Sequence, residues 1–119
     1  MDKTHIITHI DGITTIKFLV KPSFNSVKTI IDEIVESYPY EKRLWDMSEI
    51  NFDFTTTEIQ MIAEYGKKVF TRPNKLAIFA TTDLSFGEMR QFEVYRAEEN
   101  KSLPKVFRDK ASAIEWLNS

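Results

Sequence analysis

Leu76-Ala77-Ile78-Phe79-Ala80 is an unbroken apolar run, entered through Pro73-Asn74-Lys75 and left through Thr81-Thr82-Asp83. A strand with one wet face alternates apolar and polar residues. This run does not alternate, and its length and turn-rich flanks suit a strand covered on both faces, as at the centre of a parallel sheet. Parallel neighbours require helical crossovers, so the segments on either side of it should be helices.

Downstream, Phe86, Met89, Phe92 or Glu93, and Tyr95 or Arg96 suggest a helix, less cleanly amphipathic than those upstream. Pro104 to Arg108 reads as a short edge strand, and Asp109 as the cap of a closing helix that ends in Trp116-Leu117. Upstream, Thr55-Thr56-Thr57-Glu58 has the form of a capping box, and Ile59, Ile62, Ala63, Gly66, Val69 and Phe70 supply a buried stripe behind it. Before it lie the short strand Arg43 to Met47 and a helix that Ser23 can cap. That helix carries Val27, Ile30, Ile31, Ile34, Val35 and Tyr38 on one face, and Pro39 stops it. At the start, Ile6, Ile7 and Ile10 precede Asp11-Gly12, and Ile16, Phe18 and Val20 follow it, the pattern of a β-hairpin. The expected fold is α/β: one domain over residues 1–119, ordered ββαβαβαβα, with about five strands in a mostly parallel sheet and four helices.

Sixteen basic against eighteen acidic residues leave a net charge of -2, without the basic excess that phosphate-backbone binding requires, so nucleic acid is not an expected partner. The absence of cysteine excludes disulfides, thiolate metal sites and cysteine nucleophiles. The opening Met1-Asp2-Lys3-Thr4-His5-Ile6-Ile7 lacks the apolar core of a signal peptide, and no run approaches a membrane span. The expected location is the cytoplasm.

Three segments resemble the SpoIIAA-like branch of the STAS superfamily, named for sulfate transporters and anti-sigma-factor antagonists. Leu44-Trp45-Asp46-Met47-Ser48 resembles the family's Leu-Asp-Leu-Ser strand end. Phe86-Gly87-Glu88-Met89-Arg90-Gln91-Phe92-Glu93 is similar to its Tyr-Gly-x-x-Arg-x-Phe-Glu helix start, and Val106-Phe107-Arg108-Asp109 with Ala113-Ile114-Glu115-Trp116-Leu117 to its closing signature. The resemblance implies a regulatory module that binds a protein partner, a kinase or another regulator, and is switched by phosphorylation at the start of the second helix. Thr55 and Thr56 are the phosphoacceptor candidates it implies. The stretch Asn51 to Glu58 departs from the family's Asp-Ser-Ser-Gly pattern: threonines replace serines and no glycine follows.

Each candidate also has a structural reading. Thr55 and Glu58 are accounted for by capping alone. Asp46 and Asp83 are expected at the carboxyl ends of the third and fourth strands, where open α/β sheets place binding crevices, and Arg90 is an anion or ligand contact or a structural ion-pair partner for them. A receiver-type magnesium site lacks the acidic pair it needs after the first strand. His5 and His9 share a strand face without a third ligand, so neither a metal nor a cofactor is expected. No nucleophile elbow, Walker loop, dinucleotide fingerprint or zinc-protease helix is present, and an enzyme is not expected. Function therefore reads as a non-enzymatic binding module. The alternative is a small carrier with an apolar or lipid-like molecule beneath the third helix, against Phe86, Met89 and Phe92. Oligomeric state is not legible.

Overall fold

The computed structural model describes residues 4–97 and 102–119, with backbone alone at Ser102 and Leu103; Met1, Asp2 and Lys3 of the opening segment lie outside the described residues. The chain runs β1 (His5–Ile10), β2 (Ile13–Phe18), α1 (Phe24–Ser37), β3 (Lys42–Asp46), α2 (Thr56–Val69), β4 (Asn74–Phe79), α3 (Asp83–Arg96), β5 (Ser102–Phe107) and α4 (Lys110–Leu117). This is the expected element order. β1 and β2 are antiparallel, and β2 through β5 are parallel in one five-stranded sheet of order β1-β2-β3-β4-β5.

Local chemistry explains the boundaries. Asp11 (φ 53°) and Gly12 (φ 79°) both lie in the left-handed region, as a two-residue hairpin turn demands. Ser23, Thr55, Thr82 and Asp109 each accept a backbone N–H from the first turn of α1, α2, α3 and α4. Thr55 and Glu58 complete a reciprocal capping box. Boundaries differ from the expectation by one or two residues at several places: β3 is Lys42–Asp46 where Arg43 to Met47 is expected, and β4 starts at Asn74, expected in a turn, and ends at Phe79. Val20 lies beyond β2 and is exposed, because the strand stops at Phe18 and the chain turns towards Pro22. β5 starts at Ser102, two residues before Pro104; it is an edge strand, where a residue without an N–H is tolerated.

Strand order follows chain order, so successive right-handed crossovers all step the same way and carry α1, α2 and α3 to one face of the sheet. There they bury Ile16, Phe18, Trp45, Leu76, Ile78 and Val106 beneath Ile30, Ile62, Met89 and Phe92. Among the described residues α4 alone covers the opposite face, where Ala113 and Leu117 close over Ile13, Leu44 and Ala77. β4 is thus covered on both sides, and burying side chains such as Leu76 and Ile78 contributes roughly 1.5–3 kcal/mol each. Among the described residues no helix is long and apolar enough to cross a membrane.

Candidate functional site

The stretch from Met47 to Thr55 joins β3 to α2, and it is packed rather than loose. Phe52 and Phe54 point inward and continue an edge-to-face series from Phe18, with ring centroids 5.1 Å apart at each step. Their backbones hang from α3: the N–H of Phe52 donates to Ser85 Oγ (3.1 Å) and that of Phe54 to Glu88 Oε1 (2.7 Å). Ser85 and Glu88 are one helical turn apart and both buried, so they form a two-point clamp. Glu88 Oε2 is buried without a hydrogen-bond partner. Burial pushes the Glu88 carboxyl above the usual glutamate range, while the Phe54 N–H pulls the other way. Outside the clamp, Asn51 Oδ1 accepts from the hydroxyls of Thr82 and Ser85, and Lys21 pairs with Asp53 at 2.9 Å.

The clamp fixes where α2 begins. Thr55 Oγ1 is engaged by the N–H of Glu58 (3.1 Å), whereas Thr56 and Thr57 are exposed on the first turn. From Thr57 a groove of about 640 Å³ runs between α2 and α1. Phe24 and Lys28 of α1 form one wall; Gln60, Met61, Glu64, Tyr65 and Lys68 of α2 form the other. Met61 is 47% exposed although it is apolar. Tyr65 is held by a hydrogen bond from its hydroxyl to Asp32, which raises the phenol's pKa, and Lys28 Nζ lies 4.9 Å from its ring centre.

The remaining candidates are scattered. Asp46 ends β3 at 3% exposure; its Oδ1 accepts from the N–H of Ser48 and its Oδ2 lies 4.0 Å from Lys110 Nζ. The Asp83 side chain is 96% exposed and pairs at 2.8 Å with Arg108, not with Arg90. Arg90 pairs with Glu93 on its own helix at 3.8 Å. The topology explains this dispersal. A crevice opens at a strand's carboxyl end where the strand order reverses, and the β2 to β5 order does not reverse. Met89 and Phe92 are buried in the core, Phe92 against Trp45 at 5.3 Å, with Phe86 partly buried beside them. His5 binds Thr4 and Glu33, while His9 binds Thr14 and stacks on Tyr40. Among the described residues no group of three His, Asp or Glu side chains could hold a metal ion.

Sequence reading singled out Asp46 and placed Arg96 on the third helix's stripe, but it gave no buried role to the other polar residues of the interior, because a polar side chain is ordinarily taken as a sign of exposure. Ser85, Glu88 and Arg43 are among them; Arg43 and Arg96 are each 1% exposed at the amino end of the parallel strands. Both guanidiniums face the Phe70 ring, at 3.7 and 5.9 Å from its centre. Arg43 Nη2 donates to Asn74 Oδ1 at 2.7 Å. Burial, and secondarily Arg96, push the Arg43 pKa down to about 9, so it is still cationic at neutral pH. No protein-family model and no curated protein matches this chain.

Proposed function

We propose that the chain is a non-enzymatic, cytoplasmic regulatory module that binds a protein partner in the groove between α1 and α2. The observation that carries this reading is Met61, an exposed apolar side chain on the α2 wall beside Tyr65 and opposite Phe24, with Lys28 and Lys68 outnumbering Glu64 among the charged lining residues. An apolar anchor with acidic neighbours on the partner fits that surface, since binding energy concentrates on a few desolvated anchors inside a polar rim. The STAS-like resemblance implies a partner contact at the same helix start.

Thr56 is the candidate switch. Phosphorylation there would add about -1.5 to -2 charge close to the groove's mouth, opposing an acidic partner. Thr55 already lends its oxygen to the helix cap. The space beneath α3 is filled by Met89 and Phe92, which favours the protein-binding reading over a carrier with its ligand there.

The test uses p-benzoylphenylalanine at position 61 and, as control, at Glu115 on the exposed side of α4 in the native host. The expected result is one discrete protein adduct from position 61 alone. With that protein purified, Met61→Glu should weaken binding at least about tenfold, or about 1.4 kcal/mol, and Thr56→Glu should weaken it in the same direction. Equal adducts from both positions, or an affinity that Met61→Glu leaves unchanged, would refute the assignment.

A further inference from the structure

At the end of the sheet away from the Phe52 and Phe54 clamp, a cleft of about 510 Å³ lies between the α1–β3 turn and the α2–β4 turn. That volume is in the range of small-molecule sites. Pro39 and Pro73, one in each turn, restrict the backbone, and a hydrogen bond from the N–H of Lys75 to the carbonyl of Glu41 (2.8 Å) ties the two turns together. The cleft is therefore largely preformed. Its walls include Val35, Val69 and the rings of Tyr40 and Phe70. His9 stacks on Tyr40 at 3.9 Å and fixes that ring.

Charge selects the ligand class. Arg72 and Glu41 are the charged residues of the lining, and directly behind Phe70 and Asn74, which also line the cleft, stands the buried cation Arg43. The partners of Arg43 among the described residues, Asn74 and the Phe70 ring, carry no negative charge, and its Nε is buried without a hydrogen-bond partner. With Arg72 in the lining and Arg43 and Arg96 both against the Phe70 ring, guanidinium groups crowd this end of the sheet, which suits an anionic ligand. We infer that this cleft binds a small aromatic carboxylate, with its ring against Tyr40 and Phe70 and its carboxylate on the Arg72 fork, in the field of Arg43. A guanidinium meets a carboxylate through two parallel hydrogen bonds, and the apolar walls hold the body of the ligand. The cleft shares no lining residue with the Met61 groove, so the inference stands independently of the proposed partner.

The experiment is a titration of the ¹⁵N-labelled protein with benzoate, followed by amide chemical shifts, beside benzyl alcohol and acetate as probes of the ring and the charge alone. Benzoate should produce saturable shifts centred on Tyr40, Phe70, Arg72 and Asn74, and neither control should match it. Arg72→Ala, at an exposed position, should weaken benzoate binding about tenfold while leaving the thermal unfolding midpoint unchanged. Saturable shifts centred elsewhere, shifts that stay linear to the solubility limit, equal binding of benzyl alcohol, or an unchanged affinity in Arg72→Ala would each overturn the inference.

Discussion

Two glycines in helices show how much a single position depends on its neighbours. A Cβ on Gly66 in α2 would lie 2.7 Å from Arg96 Nε and 3.2 Å from its Cδ, whereas one on Gly87 in α3 would meet nothing within 4 Å. Both substitutions to alanine gain about 1 kcal/mol of helix propensity. At Gly66 the clash with a buried side chain outweighs the gain, since overpacking typically costs about 1–3 kcal/mol. Thermal unfolding should therefore find Gly87→Ala stabilised by about 0.5–1 kcal/mol and Gly66→Ala destabilised by up to about 2 kcal/mol. Gly66→Ala at or above wild-type stability would contradict the packing of Arg96 against α2. Gly66 was legible in the sequence as part of a buried stripe. The reason for glycine was not, because the neighbour is an arginine thirty residues away on another helix, and spacing along one helix carries no information about it.

Among the elements, α3 departs furthest from a simple apolar stripe. Its buried residues are Ser85, Glu88, Met89, Phe92 and Arg96, so three of the five are polar and the helical period was blurred for that reason. The polar ones hold other segments: Ser85 and Glu88 take the backbone of the β3–α2 connection. Glu88 has a consequence for pH. Its raised pKa means the folded protein holds that proton more tightly than the unfolded chain, so this group's contribution to stability falls as pH rises from the ordinary value of 4.5 through the folded value. Glu88→Gln keeps an oxygen for the Phe54 N–H and removes the titration. In denaturant unfolding at a series of pH values from 4.5 upward, wild type should lose stability relative to Glu88→Gln; parallel curves would contradict the buried clamp. The caps, by contrast, were readable, because a capping box lies within four consecutive residues and needs no tertiary partner. Thr55→Ala should cost about 1 kcal/mol in the same assay.

For the whole molecule, alternation of strands and helices was enough to set the architecture. The Leu76 to Ala80 run marked the covered strand, and Asp11-Gly12 marked the hairpin. The site was less legible because it depends on strand order, which local patterns do not encode. Asp46 and Asp83 do lie at or just beyond the carboxyl ends of β3 and β4, but without a reversal of order they and Arg90 do not converge, and each pairs with a different cation or carboxylate. Two accessible features lie instead on the outer groove of α1 and α2 and in the cleft at the amino end, and both depend on helices packed on the same sheet. That scaffold is the central claim, and native-state hydrogen exchange of the β4 amides tests it most directly. With β3 and β5 on its two edges and helices on its two faces, β4 should exchange only through global unfolding, with Leu76 to Ile78 among the slowest amides and a full dependence on denaturant. Exchange of those amides at rates like those of edge strand β1, independent of denaturant, would contradict it.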